Sequence, residues 1–357
     1  MRESGAGEAG HHNFQSGVKV TGRRLRELQA SGARGRRTGA SGGAAACHGL
    51  TLFSLMHVLV TGASGYVGSH LVPALLAEGH TVRALSRSPE ADPRDGVETV
   101  AGDVTDPASL SGAFAGIDAV VHLVGIIDES PSKGVTFERI HVDGTRNVAE
   151  AARASGVARF VHMSANGARP DGRSAYQTTK WRAEEIVRRL GFEHLVVFRP
   201  STLFGDPGPE NPEFAKRLWE TLVKPFPVLP VFGAGDYQLQ PIHVQACADA
   251  MARAVTRDAS GGTSYCVAGH ERVPYTEVLK RIARGGGIEP KPTAPVPIFA
   301  ARLGVNTLGK AGLLPISPAQ FEMLVEGNTC DPSAFFADFG VEPPAFDGES
   351  LSYLRKY

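Results

Sequence analysis

Long apolar runs, closely spaced cysteines and an excess of charge of either sign are all missing from this chain of 357 residues. Without a run of about 18 apolar residues, no helical membrane span is expected. Its 37 Lys and Arg balance 37 Asp and Glu, so nothing in the charge points to a nucleic-acid partner. The four cysteines, Cys47, Cys247, Cys266 and Cys330, lie far apart and form no C-x-x-C pair. That spacing argues against a metal site and favours buried, reduced thiols in a cytoplasmic protein. No internal repeat is present. Residues 1–55 also lack apolar periodicity and are rich in Gly, Ala, Ser and Arg. Such a stretch cannot bury enough apolar surface to offset its ordering entropy, so it is expected to be a disordered extension. The preferred reading is an upstream start or a dispensable extension. The basic run from Arg23 to Arg37 leaves a targeting segment as the alternative.

What the sequence does contain is a glycine-rich turn in a specific context. Thr61 to Gly68 reads TGASGYVG, after the apolar run His57 to Val60 and before Leu71, Val72, Leu75 and Leu76 at helical spacing. Strand, turn and helix in this order make a dinucleotide-binding signal rather than an ordinary turn. Gly62 permits the tight turn, Gly65 lets backbone approach a pyrophosphate, and Gly68 lets the helix sit close on the strand. The helix start offers unpaired N–H groups and a positive dipole end.

Strand and helix signals then alternate to about Pro200. Strands are expected at Thr81 to Leu85, Val97 to Val100, Ile117 to Val124, Val157 to Met163 and Leu195 to Phe198. Asp106-Pro107 opens a helix with the aspartate as cap, and helices are expected over Phe137 to Ser155 and Ala175 to Leu190. This order predicts an α/β fold, a Rossmann-type doubly wound parallel sheet over residues 56–200. Beyond Pro200, proline and glycine break the rhythm. A helix at Val244 to Val255 is expected to return with 235–257 to the sheet domain. Residues 201–234 and 258–357 are expected to form a smaller C-terminal substrate lobe, with a small strand at Ser264 to Ala268 and a helix at Tyr275 to Ala283. A ligand would lie in the crevice between the two.

Three residues make a proton-transfer set. Tyr176 and Lys180, four apart near a helix start, share one face, and Ser164 ends the preceding strand. A free Tyr hydroxyl titrates near pH 10, so acting as a base near pH 7 requires about 4 kcal/mol. An ammonium at about 4 Å supplies roughly that at an effective dielectric near 20. Ser164, Tyr176 and Lys180 are therefore the candidate catalytic residues. Cofactor preference is read at the end of the second strand, where an NAD site usually carries an acid for the ribose hydroxyl. Here Ser86-Arg87 stands instead, and a guanidinium pairs with a 2′-phosphate. NADP(H) is expected over NAD(H), which stays the alternative. His122 and His162 alternate with apolar strand residues and read as core or edge histidines. Asp128-Glu129 reads as a solvated loop, Trp181 and Trp219 as packing residues, and His243 as a residue that orients the loop over the cofactor.

TGASGYVG, Gly102-Asp103-Val104, HLVG (His122 to Gly125), Ser164, Tyr176-x-x-x-Lys180 and FRPSTLFG (Phe198 to Gly205) together resemble the extended or atypical short-chain dehydrogenase/reductase superfamily, which includes NAD-dependent epimerase/dehydratases. VHMSANGARPDGRSAYQTTKWRAEE and QPIHV most resemble the branch containing the NADPH-holding accessory subunit of respiratory complex I and its bacterial relatives. The resemblance implies that Gly62, Ser64, Gly65, Tyr66, Val67 and Gly68 hold the pyrophosphate end, and that Ser86 and Arg87 meet the adenosine ribose. It further implies that Asp103 and Val104 line the adenine, that Leu123, Val124 and Gly125 flank the cofactor, that Tyr176 and Lys180 hold the nicotinamide ribose, and that Pro200 lies near the nicotinamide. His141 in FERIHVDGTRN stands where the superfamily usually has Asn, and the segment after Ser164 lacks the usual S-S-x-x-V-Y-G form. Both departures point away from sugar-nucleotide chemistry.

Two functions follow as expectations. The first is an NADP(H)-dependent oxidoreductase or epimerase/dehydratase acting on the carbonyl or hydroxyl group of an unidentified small molecule. The second is a non-catalytic accessory or assembly subunit that binds NADPH as a structural ligand, with a respiratory-complex or membrane-surface partner. The first places the protein in the cytoplasm, the second peripherally at the inner membrane.

Overall fold

Seven parallel strands form the central sheet of the computed structural model, which describes residues 55–88, 94–309 and 317–357. The expected disordered extension at 1–55 lies outside the described residues except for Leu55. In chain order the strands are β1 (His57–Thr61), β2 (Thr81–Ser86), β3 (Val97–Ala101), β4 (Ala119–His122), β5 (Arg159–Met163), β6 (His194–Pro200) and β7 (Thr263–Val267). Across the sheet they run β3-β2-β1-β4-β5-β6-β7. The order reverses between β1 and β4, which pair with Val58 opposite Ala119. At such a reversal the chain leaves the two strands toward opposite faces, opening a crevice at their carboxyl ends.

Apolar residues on both faces of each inner strand explain why helices cover both sides. On one face, Leu71 and Leu75 of α1 (Tyr66–Ala77) pack with Cys247 and Met251 of α4 (Val244–Ala254). On the other, Val148 and Ala152 of α2 (Gly144–Ala154) and Val187 of α3 (Ala175–Arg189) pack with Phe114 and Phe160. Ser174 and Gln177 form a capping box that starts α3 one residue before Tyr176. Asp106 caps a short 3₁₀ turn at Pro107–Leu110. The helix expected from Phe137 instead opens as a wide π turn, Glu138–Asp143, before becoming α2.

A second apolar cluster gathers Trp219, Leu229, Phe321 and Leu351 around α5 (Tyr275–Gly285), which contributes Tyr275 and Leu279. A parallel pair, Leu229–Phe232 with Thr293–Val296, leads into α6 (Ile298–Gly304), and α7 (Pro318–Glu326) packs beneath it through Phe321 and Leu324. The strand expected near Ser264, placed by sequence in the lobe, instead joins the main sheet as β7. It satisfies the open backbone edge of β6, with Thr263 opposite Val196. Likewise α8 (Ser333–Phe339) lays Phe335 and Phe339 on the core beneath α1 and α4.

The expectation of reduced thiols is corrected at one pair. Cys266 of β7 and Cys330 are disulfide-bonded, with Cα atoms 6.2 Å apart. The segment before Cys330 is drawn to the sheet by the Asn166 amide, which donates to Asn328 Oδ1 (2.6 Å) and to the Thr329 carbonyl (3.2 Å). At 64 positions apart, the spacing of the two cysteines carried no sign of this meeting. Cys247 is a buried free thiol, as expected, pushed up to about 12 by burial.

Candidate active site

The turn after β1 is shaped by its glycines. Gly62 takes a φ of +76°, and a Cβ there would lie 3.3 Å from the Val124 amide nitrogen in the loop after β4. The two loops thus touch at the strand-order reversal. A Cβ on Gly68 would collide with the carbonyl oxygens of Gly62 and Ala63, so only glycine lets α1 sit this close. Gly65 is extended (φ −74°, ψ 175°) and no side chain caps α1. Its first-turn N–H groups are therefore left for an anion, and the cradle fits a dinucleotide pyrophosphate. Ser64 is exposed in the turn, whereas Tyr66 and Val67 face the cavity described below.

At the far end of the crevice, Ser86 is engaged locally with Ser88, and Arg87 is exposed. Burial raises the Asp103 carboxyl. Hydrogen bonds from the Thr105 amide and hydroxyl and the charges of Arg87 and Arg139 outweigh it and hold the group below its usual range. Val104 is part of the core, against Gly144, and its carbonyl accepts from Asn147 (2.9 Å). Leu123 and Val124 are half-buried beside the glycine turn, the Leu123 amide donating to the Thr61 carbonyl (3.2 Å). Gly125 makes room for lysine: a Cβ there would lie 2.8 Å from Lys180 Nζ.

Ser164 follows β5, and its amide donates to the Phe198 carbonyl (2.8 Å). Its hydroxyl is buried and has no hydrogen-bond partner among the described residues. Tyr176 stands in the first turn of α3, its ring edge-on to Phe137 (5.8 Å) and His141 (5.4 Å). One turn later Lys180 donates to the Met163 carbonyl (3.2 Å). Burial pushes the Lys180 amine down to about 8, partly offset by Glu184. Burial also pushes the Tyr176 hydroxyl up to about 12. The expected lowering of Tyr176 by the lysine ammonium is thus corrected: burial disfavours the charged phenolate and raises the hydroxyl instead.

His141, the departure from the usual Asn, sits in the π turn with both ring nitrogens engaged. Nδ1 meets the Thr179 hydroxyl (3.0 Å), and Nε2 lies 3.1 Å from the donating Ile126 amide. Burial and the Lys180 charge push it down to about 2, so it is neutral and braces the loop after β4 against α3. His122 and His162 are core histidines, as expected. Their rings stack 5.7 Å apart, and burial first and Lys180 second push His122 down to about 3. Trp219 packs in the second cluster, and His243 caps α4 by accepting from the Gln245 amide (3.2 Å).

Ser164, Tyr176 and Pro200 line one cavity of about 1320 Å³, together with Tyr66 and Val67 from the glycine turn and residues of the second cluster. The sequence reading missed two acidic residues, one in its wall and one that pairs with wall residues. Glu213 is buried, capping Phe214–Leu218 and accepting from Tyr353 (3.0 Å). Burial raises its carboxyl to about 7. Asp128, read as part of a solvated loop, accepts from Arg217 and Gln320 at 3.0 Å each. No motif marks either residue, because their partners come from distant segments.

The sheet order and the glycine turn at its reversal are those of a nicotinamide-dinucleotide-binding fold. The model of the NAD dependent epimerase/dehydratase family matches residues 58–268, and the chain belongs to that family. A ceramide reductase of Caulobacter vibrioides is 32% identical over 237 residues, 66% of this chain and 72% of that protein. The 40 kDa subunit of NADH-ubiquinone oxidoreductase from Neurospora crassa mitochondria is 26% identical over 308 residues, 84% of this chain and 78% of that one. Among solved structures, MoeE5 in complex with UDP-glucose and NAD shares the fold with a TM-score of 0.64 at 23% identity, over 84% of this chain and 97% of that one. Among the described residues, no helix is long and apolar enough to cross a membrane.

Proposed function

We propose that this protein is an NADP(H)-dependent reductase of a carbonyl group, with Ser164, Tyr176 and Lys180 as its catalytic residues. The observation that carries this reading is the Ser164 hydroxyl, buried and unpartnered, on the wall of the same cavity as Tyr176. A buried polar atom left without a partner is costly, and is a natural position for a ligand oxygen. The bound nicotinamide would supply the hydride. Ser164 donates a hydrogen bond to the carbonyl oxygen, and Tyr176 gives its hydroxyl proton to that oxygen as the carbon becomes an alcohol. A tyrosine held neutral up to about pH 12 suits the acid's role in reduction better than the base's role in oxidation. Lys180 stabilises the tyrosinate left behind, which then recovers a proton from solvent. The exposed Arg87 at the end of β2, in the place of an acid, supports NADP(H) over NAD(H). The name of the Caulobacter relative is in keeping with a reductase.

The test is NADPH oxidation by purified protein against ketones, aldehydes and quinones, with Tyr176→Phe beside the wild type. Turnover that falls about a hundredfold or more in the variant supports the proposal, as loss of a general acid should. The long match to the Neurospora subunit favours a second reading, a non-catalytic subunit in which NADPH contributes stability by mass action. Tight NADPH binding, no turnover with any acceptor and no effect of Tyr176→Phe would establish that reading instead.

A further inference from the structure

We infer that the cavity beyond Ser164 and Tyr176 is built for a substrate with a long apolar tail, not for a nucleotide sugar or another anion. The inference rests on the carbonyl-reductase reading for the head of the site, and extends it to the body of the substrate. The whole cavity, cofactor end included, measures about 1320 Å³, above the roughly 300–1,000 Å³ typical of small-ligand pockets, and so leaves room for an extended substrate beside the nicotinamide. Away from Ser164 its walls are largely apolar, with Leu222, Pro230, Ala301, Val305, Met323 and Leu324 prominent. At its rim Phe226 and Val228 are 48% and 38% exposed.

The charges in the wall argue most strongly. Arg169 pairs with Glu326, whose other carboxylate oxygen accepts from Gln177 (2.9 Å). Arg217 pairs with Asp128 at 3.0 Å. Glu213 is satisfied by the amides of Ala215 and Lys216 (2.8 and 2.7 Å) and by Tyr353. Among the described lining residues, the two arginines are therefore already ion-paired and the Glu213 carboxyl is already hydrogen-bonded. A diphosphate or carboxylate entering the chamber meets no unpaired cation among the described lining residues and would have to compete with Glu326 and Asp128 for the two partly exposed arginines. A hydrocarbon chain needs none of them and gains from leaving water.

Gly304 at the end of α6 supplies a clean probe. It lines the chamber, and a Cβ placed there has no heavy atom within 4 Å outside its own helix and chain neighbours. Gly304→Phe therefore projects a ring into open space without displacing the core. The experiment follows methyl ketones from butanone to decanone in two measurements: displacement of N-phenyl-naphthylamine fluorescence, which needs no chemistry, and NADPH oxidation. Affinity is expected to rise roughly threefold per methylene in wild type. In Gly304→Phe decanone should weaken about tenfold or more while butanone changes less than about twofold. Affinity flat with chain length in both measurements, or probe displacement by UDP-glucose but not by decanone, would overturn the inference even if butanone is reduced. Graded binding without any NADPH oxidation would uphold the chamber and defeat the reductase reading alone.

Discussion

Lys180 is expected to destabilise the protein in the absence of cofactor, and Lys180→Met should reveal it through pH. The amine is buried, and its affinity for a proton falls from the ordinary 10.5 to about 8. Below pH 8 it is charged in both folded and unfolded chains, and folding carries the full desolvation cost. Between pH 8 and 10.5 the folded protein has released the proton and the unfolded chain still holds it. Stability then rises with pH wherever the unfolded state binds more protons. With the lost hydrogen bond counted, the wild type should therefore trail Lys180→Met by about 2 kcal/mol near pH 7 and by only about 0.5 kcal/mol near pH 9.5. Loss of the hydrogen bond to the Met163 carbonyl (3.2 Å) subtracts about 1 kcal/mol from the variant at every pH, so it moves the offset and not the narrowing. Urea titrations of the cofactor-free proteins at the two pH values measure both gaps. A gap independent of pH would show that Lys180 is not desolvated as the structure requires. Tyr176 does not interfere, because both proteins carry it and its own titration cancels in the gap between them.

Three further outcomes are expected. Arg87→Asp should weaken NADPH by roughly tenfold or more, as loss of a charge-assisted phosphate contact does, and leave NADH nearly unchanged; equal losses in calorimetric titrations of both would remove Arg87 from the site. Cys330→Ser, or reduction of the wild type, should lower unfolding free energy by up to about 4 kcal/mol through the loop that the disulfide closes. Urea midpoints that coincide with and without dithiothreitol would show that the bond does not constrain the unfolded chain. Gly68→Ala should abolish dinucleotide binding because its methyl group collides with the Gly62 carbonyl; retained NADPH affinity would mean α1 is free to shift outward.

The sheet was legible because its signals are local. Continuous apolar strands, the Asp106 cap and the glycines at 62 and 68 each act over a few residues, and the elements they predict fall within two or three residues of those found. Tyr176 and Lys180 were legible too, since helical spacing alone puts them on one face. Their protonation was not. The lysine's pull on the tyrosine, taken alone, leaves out the burial of both groups, where desolvation dominates. His141 was seen only as a departure from a pattern, and the π turn that lets it bridge Ile126 and Thr179 has no sequence signature.

What the sequence alone determined is the strand, turn and helix that cradle a diphosphate, because steric freedom at three glycines is a property of the residues themselves. Only the tertiary structure decided that β7 closes the sheet edge, that Cys266 meets Cys330, and that Arg169 and Arg217 are ion-paired and Glu213 hydrogen-bonded in the wall of a largely apolar chamber. Those outcomes depend on segments brought together from up to about 190 residues apart, as with Asp128 and Gln320, and the entropy of closing such loops is repaid only when many contacts form at once.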